Sequence, residues 1–361
     1  MASTQRLASG KWRARYRDEA GREHAKHFVR KIDAQQWLDE VTAALVTGQY
    51  VDPRAGKITL RQYASGWEAL QVGREGTAAI TDNALRVHIL PLLGDRTVAS
   101  LRRSDIQGLV KTVSGRLAPS TVRNVYDVLN RVLAAAVDDR VISVSPAKRI
   151  ALPALTHGEV VPPSSADVAA LAEQVNRRYR GLVVLLAGGG LRIGEALGLR
   201  ISDVDFLRRQ VRIERQRLQS GLIGPTKTRS STRTIPLGQV VVDELAAYLA
   251  AYPSAEWLFT TDTGEALTYR RWKYIWVDAK SAAKVDAGMD THALRHFAAS
   301  AAISGGASVK QVQMFLGHSS AAITLRVYSH LWPGDDDRLR DVMDAALSPL
   351  ADCVRTEAAS I

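Results

Sequence analysis

Residues 291–330 read THALRHFAASAAISGGASVKQVQMFLGHSSAAITLRVYSH. On a helix, His292 and Arg295 are three apart and share a face, and His296, four on from His292, joins them. Leu316-Gly317-His318-Ser319-Ser320 places a histidine in a turn, after a helix holding Val312 and Phe315. Tyr328 follows that histidine by ten residues. Further back, Lys227 stands between hydroxyl residues in Pro225-Thr226-Lys227-Thr228, in the loop of an expected hairpin that also carries Gly221 and Gly224. Arg192 follows Gly188-Gly189-Gly190 and is expected to open a short helix with Glu195 and Leu197. There the glycines would let the backbone approach an anion, helped by the partial charge of the helix N-terminus. Taken singly, each has an ordinary reading: an Arg192–Glu195 ion pair beside a tight turn, a solvated hairpin lysine, a hydrogen-bonding turn histidine, a core tyrosine. The His292/His296 spacing raises zinc, but His-Ala-Leu-Arg-His lacks the general-base glutamate of zinc proteases. The glycine run is not a phosphate-binding P-loop, because no Gly-Lys-Ser/Thr follows.

Taken jointly, two arginines, a lysine, two histidines and a phenol are what breaking a phosphodiester without a metal requires. Arg192, Lys227, His292, Arg295, His318 and Tyr328, in this order and spacing, resemble the tyrosine recombinases of the phage integrase type. The resemblance is close from about Val160 to Leu347 and looser from Ile58. It implies a site-specific DNA recombinase that integrates or excises DNA through a 3′-phosphotyrosyl intermediate. Tyr328 would attack, Arg192 and Arg295 would hold the phosphate oxygens, His292 and His318 would supply acid–base work, and Lys227 would protonate the leaving 5′ oxygen. No cofactor or metal is called for. The implied partners are double-stranded DNA attachment sites and three further copies in a tetramer, with a host bending factor and a directionality factor as accessories. Phe297 stands where the family often has a small hydroxyl residue, which leaves the local packing open.

Working outward, the expected fold is mainly α with small β-sheets. Lys11, Arg13, Arg15 and Arg17 alternate with Trp12, Ala14 and Tyr16, a half-buried strand with a basic face. A second strand over Glu23–Val29 follows, then a helix capped by Asp33, with Trp37, Leu38, Val41 and Leu45 inward and Gly48 at its end. This module, residues 1–55, resembles the arm-site DNA-binding domain of integrases; its alternative is an edge strand whose charges discourage aggregation. Residues 57–150 carry four helical stretches, resembling a core-binding domain. The second is expected to be ended by Pro91 and Gly94, the third to be capped by Ser104 and Asp105, the fourth by Ser120. Basic candidates for phosphates here are Arg86, Arg102, Arg103, Lys111, Arg116, Arg123 and Arg131. Ser145–Ser165 reads as a linker. Residues 160–361 form the expected catalytic domain and tail. Val211 and Ile213 alternate with Arg212 and Glu214 in a strand region reaching Arg217, and Thr234–Leu237 gives a later strand. A tail helix with Leu339, Val342, Met343, Ala346 and Leu347 on one face would pack on a neighbouring protomer or in cis.

The 361 residues allow two or three domains, and a net charge of +11 points to a polyanionic partner. One cysteine, Cys353, permits no intrachain disulfide and no cysteine-rich metal site. The polar start lacks a leader pattern and no apolar run suits a membrane span, so the expected place is the cytoplasm of a bacterial host, at the nucleoid. Two rivals remain: a type IB topoisomerase-like nicking and closing enzyme, and a catalytically silent DNA-binding regulator.

Overall fold

The computed structural model describes residues 2–18, 21–47, 50–52, 54–155, 160–332 and 340–348. The chain divides into two compact units, Met1–His157 and Gly158–Ile361. In the first, β1 (Ser3–Arg6), β2 (Trp12–Arg17) and β3 (Glu23–Phe28) form an antiparallel sheet with β2 in the middle. The strand β1 was not foreseen. Helix α1 (Lys31–Val46) covers one face, burying Ala14, Tyr16, Ala34 and Leu38 in a small core. The opposite face carries Arg13, Arg15 and Arg17, with Lys11 exposed just before the strand. Because β2 is paired on both sides, its charges cannot be serving as edge protection. Asp33 does not cap α1: Arg30 does, and Asp33 lies in the first turn, bonded by the Arg30 side chain at 2.6 Å. Gly48 lies outside the described residues.

A helical bundle follows in the same unit. Helix α2 (Leu60–Ala69) starts from Thr59, whose hydroxyl accepts from the Gln62 amide while the Gln62 side chain accepts from the Thr59 amide. Helix α3 (Glu75–Asn83) runs through a π-turn at Ala84–Ile89 into α4 (Leu90–Leu93). Pro91 therefore does not end the helix, since it sits in the first turn after the π-turn; Gly94 does, as the C-cap, its amide donating to the Leu90 carbonyl. Helix α5 (Arg103–Ser114) is capped by Arg102, whose amide donates to Asp105 at 2.8 Å. Helix α6 (Pro119–Asp138) begins with proline after Ala118, not from a Ser120 cap. Val122, Val125, Val128, Leu129, Val132, Leu133 and Ala136, spaced at helical intervals, are all buried. Three of the candidate phosphate cations are used by the fold. Arg103 donates to the Arg149 carbonyl, Arg123 to the Pro153 carbonyl, and Arg131 to Thr81 while stacking on Trp67. With Gln107 exchanging bonds with Ala151, the first half of the expected linker is pinned to the bundle.

In the second unit, α7 (Ser165–Gln174) is capped by Ser164, and α8 (Arg180–Gly189) runs through the centre of the core with Leu182, Val183, Leu185 and Leu186 buried. After α9 (Ile193–Leu197) come β4 (Val204–Asp205), β5 (Gln210–Ile213), β6 (Arg215–Arg217), β7 (Ile223–Pro225) and β8 (Arg233–Pro236). The expected strand region through Arg217 breaks at Glu214. β5 joins β4 and β8 in one sheet, while β6 pairs with β7 in a separate hairpin. At the switch, Arg215 is captured by buried Asp203. Helices α10 (Gln239–Ala251) and α11 (Tyr269–Ala283) cover the core. Then α12 (His292–Ser304), α13 (Val309–Leu316) and α14 (Ala321–Tyr328) deliver the C-terminal motifs. Phe297, half-buried, packs against the main core and closes the question its identity raised. A last helix, residues 340–348, exposes its whole length; Leu339 lies outside the described residues. Among the described residues, no helix is long and apolar enough to cross a membrane.

Candidate active site

Arg295, on the first turn of α12, is almost fully buried, at 1% exposure. A guanidinium that deep needs partners for its N–H groups. Two backbone carbonyls provide them: Gly190 O and Leu316 O, each at 2.6 Å. Gly190 closes α8 in the left-handed conformation, φ +61°. An added Cβ there would meet Leu316 at 3.0 Å and Phe315 at 3.1 Å. The glycine run thus seats Arg295 and packs helices; it is not the phosphate cradle its sequence suggested. Gly188 and Gly189 lie inside α8, against Val241 and Leu191.

Arg192 caps α9. Its guanidinium meets Glu195 Oε1 at 2.8 Å and its amide donates to Glu195 Oε2 at 3.0 Å. The ion pair read as the bland alternative is real, yet Arg192 also faces the cavity described below. Burial would raise the Glu195 carboxyl, but Arg233 and then Arg192 hold it below the usual carboxylate range. Arg233 enters from β8. It donates to Glu195 at 3.1 Å, to the Phe315 carbonyl at 2.8 Å and to the Ser231 carbonyl at 2.9 Å. One buried cation therefore ties the Arg192 cap, the Lys227 loop and the turn before His318. That turn, Gly317 at φ +67°, passes so close that a Cβ would meet Arg233 at 2.9 Å.

Lys227 follows β7 by two residues and is exposed. Its loop is organised by hydroxyls: Thr226 reaches Thr232 at 2.9 Å, and Thr228 reaches Ser230 and Ser231, each at 2.9 Å. Buried Arg217 on β6 braces the hairpin, donating to the Leu197 and Gly221 carbonyls and stacking on Trp257.

Tyr328, the last residue of α14, is buried at 1% exposure. Its hydroxyl lies 2.7 Å from His296 Nδ1. His318 stacks on the phenol ring, with its own Nδ1 at 2.9 Å from Thr324. His292 meets His296 edge-on, centroids 4.8 Å apart. Loss of hydration is the first cause that lowers all three imidazoles below the ordinary histidine range, although His292 keeps one side exposed. His318 falls to about 3, with Arg295 and Arg192 the nearest charges. His292 falls to about 4 beside His296 and Arg295, and His296 is lowered as well. Burial raises the Tyr328 phenol to about 12 against the pull of Arg295 and Arg192.

All six residues proposed from sequence, Arg192, Lys227, His292, Arg295, His318 and Tyr328, line one cavity of about 300 Å³, together with His296. The cavity is lined by cations, hydrogen-bonding groups and a phenol, with Ile323 and Val327 among them, an arrangement suited to an anionic diester. Sequence reasoning placed His296 on the right face without giving it a role. It left Arg233 and Arg217 as unassigned charges, and only the spacing of Glu195 from Arg192 hinted at the carboxylate.

Replacing Arg233 with Met should leave Glu195 buried beside fewer cations. Losing one partner of a buried pair costs about 3–5 kcal/mol, so the second unit should melt well below wild type. Arg233→Met with Glu195→Gln should recover part of that loss, measured by thermal unfolding of the single and double variants.

The Phage integrase family matches residues 164–333, and the family's N-terminal domain matches residues 3–47. An integrase of Mycobacterium phage FRAT1 is 27% identical over 335 residues, covering 87% of this chain and 99% of that one. The Tn1549 transposon integrase, solved in complex with transposon right end DNA, shares the fold at a TM-score of 0.68, with 24% identity over 81% of this chain and 100% of that one. The lambda integrase tetramer bound to a Holliday junction shares it at 0.59, with 17% identity over 88% of this chain and 96% of that one. With both ends of the integrase pattern matched and the full set of polar residues gathered in one cavity, this chain belongs to the phage integrase family of tyrosine-type site-specific recombinases.

Proposed function

We propose that the reaction centre is the cavity holding Arg192, Lys227, His292, Arg295, His318 and Tyr328, and that its substrate is a phosphodiester of a double-stranded DNA attachment site. The convergence of these six on one cavity carries the proposal. The Tyr328 oxygen attacks phosphorus and the P–O5′ bond breaks, leaving a 3′-phosphotyrosyl link and a 5′ hydroxyl. Arg192 and Arg295 offset the charge that grows on the non-bridging oxygens, where donors fixed in advance are most effective. His292 and His318, neutral at pH 7, hydrogen-bond to the same oxygens and serve in proton transfer. Lys227, exposed at the cavity's edge, gives its proton to the leaving oxygen. One diester replaces another, so no nucleotide is consumed, and the guanidinium groups take the place of a metal. Tyr328→Phe should keep DNA binding and abolish adduct formation, while excess chelator should leave wild-type cleavage intact. Covalent trapping on a nicked duplex from the attachment region reads both; adduct from the phenylalanine variant, or strict magnesium dependence, would sink this mechanism.

The open face of the N-terminal sheet supports a second DNA contact. Arg13, Arg15 and Arg17, with Lys11, project from the sheet's central strand on the side away from α1. We take this face to bind distal arm sites, separately from the core sites of the remaining chain. Changing the three arginines to alanine should erase the distal footprint and leave core-site protection in place. Identical footprints for variant and wild type would remove the assignment.

Assembly beyond the protomer is supported by a groove and a helix. The groove, about 730 Å³, runs between β8 and α13 and is lined in part by Ile235, Pro236, Ala302, Val312, Met314 and Phe315. Helix 340–348 exposes Val342, Met343 and Leu347. Seating that helix in a neighbour's groove would remove apolar surface worth ~25 cal/mol per Å² from water and couple neighbouring active sites into a tetramer. It also separates recombination from topoisomerase-like nicking, which needs no neighbour. Removing residues 335–361 should weaken cooperative binding to two-site DNA and recombination while single half-site binding persists. Undiminished cooperativity in a gel-shift titration would leave the helix as a cis element. A host bending factor and a directionality factor complete the proposed partners, at the nucleoid of a bacterial cell.

A further inference from the structure

The three imidazoles around Tyr328 are not equivalent. His318 lies parallel to the phenol ring with centroids 6.4 Å apart, and its Nδ1 is engaged with Thr324 Oγ1. His292 stands one turn before His296 and presents an edge contact to it. Of the three, His296 is the one whose ring nitrogen, Nδ1, lies in hydrogen-bond contact with the phenolic oxygen, at 2.7 Å. A general base must lie within about 2.6–3.2 Å of the atom that carries the proton it removes. We propose that His296 is the base that takes the phenolic proton of Tyr328 as the phenol attacks, a catalytic residue in addition to the six above. The inference rests on Tyr328 being the nucleophile.

The surroundings make this transfer reasonable. His296 is half-buried on α12. The charged and titratable groups around it are Arg295 and His292 on its own helix, Asp290 just before it, and Tyr328 from α14 with His318 behind the phenol. Burial and Arg295 keep the ring neutral and Asp290 opposes them, so the ring is available as an acceptor at pH 7. Its Nδ1 accepts the hydroxyl hydrogen, with the ring proton on Nε2. As the O–P bond forms, the proton passes to Nδ1 and His296 becomes an imidazolium. The electron pair of the phenol ends in the new O–P bond. The pair of the broken P–O5′ bond leaves on the 5′ oxygen, which takes its proton from Lys227. The charge gained by His296 sits beside the negative charge gained by the phosphorane, so the two changes stabilise each other. In the rejoining step the imidazolium returns its proton to the departing phenolate, and neutral Lys227 takes that of the attacking 5′ hydroxyl. On this proposal the proton transfer assigned above to His292 and His318 passes to His296, and those two keep their hydrogen bonds to the phosphate oxygens.

The test uses full-length His296→Asn and His296→Ala on a nicked duplex from the attachment region, with single-turnover adduct formation as the readout and gel shift as the check on folding. Asparagine can accept the phenol's hydrogen bond but not its proton, so a positioning role would be rescued by it and a base would not. Both variants should bind DNA normally and cleave about 10²-fold slower or worse, the usual scale of general-base loss, with a rate that climbs as pH rises. A substrate with sulfur in place of the bridging 5′ oxygen has a leaving group that needs no proton. It should restore Lys227→Ala and leave the His296 variants slow. Near-wild-type cleavage by His296→Asn, or rescue of the His296 variants by sulfur, overturns the assignment. If wild type forms no phosphotyrosyl adduct at all, the nucleophile assignment fails first and this proposal falls with it.

Discussion

A fully buried guanidinium is the constraint on which the second unit turns. Arg295 cannot be left without partners, and the two carbonyls that satisfy it belong to residues far apart in sequence, Gly190 and Leu316. Satisfying one side chain therefore fixes the end of α8, the start of α12 and the end of α13 together. The end of α8 in turn delivers Arg192, and the end of α13 delivers His318. Gly190 must be glycine twice over, for its left-handed backbone and because Leu316 and Phe315 crowd the space a side chain would take. Burial lowers the Arg295 guanidinium to about 9, which still leaves it charged at neutral pH.

Around that anchor the electrostatics are deliberately lopsided. Arg192, Arg233 and Arg295 face a single buried carboxylate, Glu195, which takes Arg192 and Arg233 into one network. The surplus of positive charge does two things. It prepares a place for an anion, and it adds to loss of hydration, the larger cause, in suppressing protonation of the histidines nearby, so that they stand as neutral donors and acceptors. The phenol feels the opposite tension, raised by burial and drawn down by the arginines. An incoming phosphate would neutralise part of the surplus and ease both. The hydroxyl network of Thr226, Thr228, Ser230 and Ser231 holds the Lys227 loop without adding charge, which leaves the lysine on the solvent side.

The first unit works on different terms. Its helices are held by apolar burial at regular spacing, and several of its arginines bind backbone carbonyls of the following segment rather than project into solvent. Basic residues in such a domain thus divide into those that build it and those free to meet a partner, a division that charge counts alone do not make. In the N-terminal sheet, pairing β2 on both sides leaves its basic face as the exposed feature.

By itself the sequence determined the helices with strong periodicity such as α6 and the basic face of β2, because each rests on local spacing; the fold class and the six polar residues of the cavity were legible through the order of motifs that resembles the integrase family. Helix ends were less legible. Asp33, Ser104 and Ser120 all have side chains able to cap, but the chain begins those helices where Arg30, Arg102 and Ala118 let it enter, and Pro91 found a π-turn that spared it. The strand through Glu214 split because Arg215 found a buried partner in Asp203, a contact no window of sequence contains. The same holds for the glycines of α8, for Arg233, and for His296. Their roles are set by atoms twenty to a hundred residues away, as 105 positions separate Arg295 from Gly190 and 32 separate His296 from Tyr328. Spacing along the chain says which residues share a face; only packing in three dimensions says what that face meets.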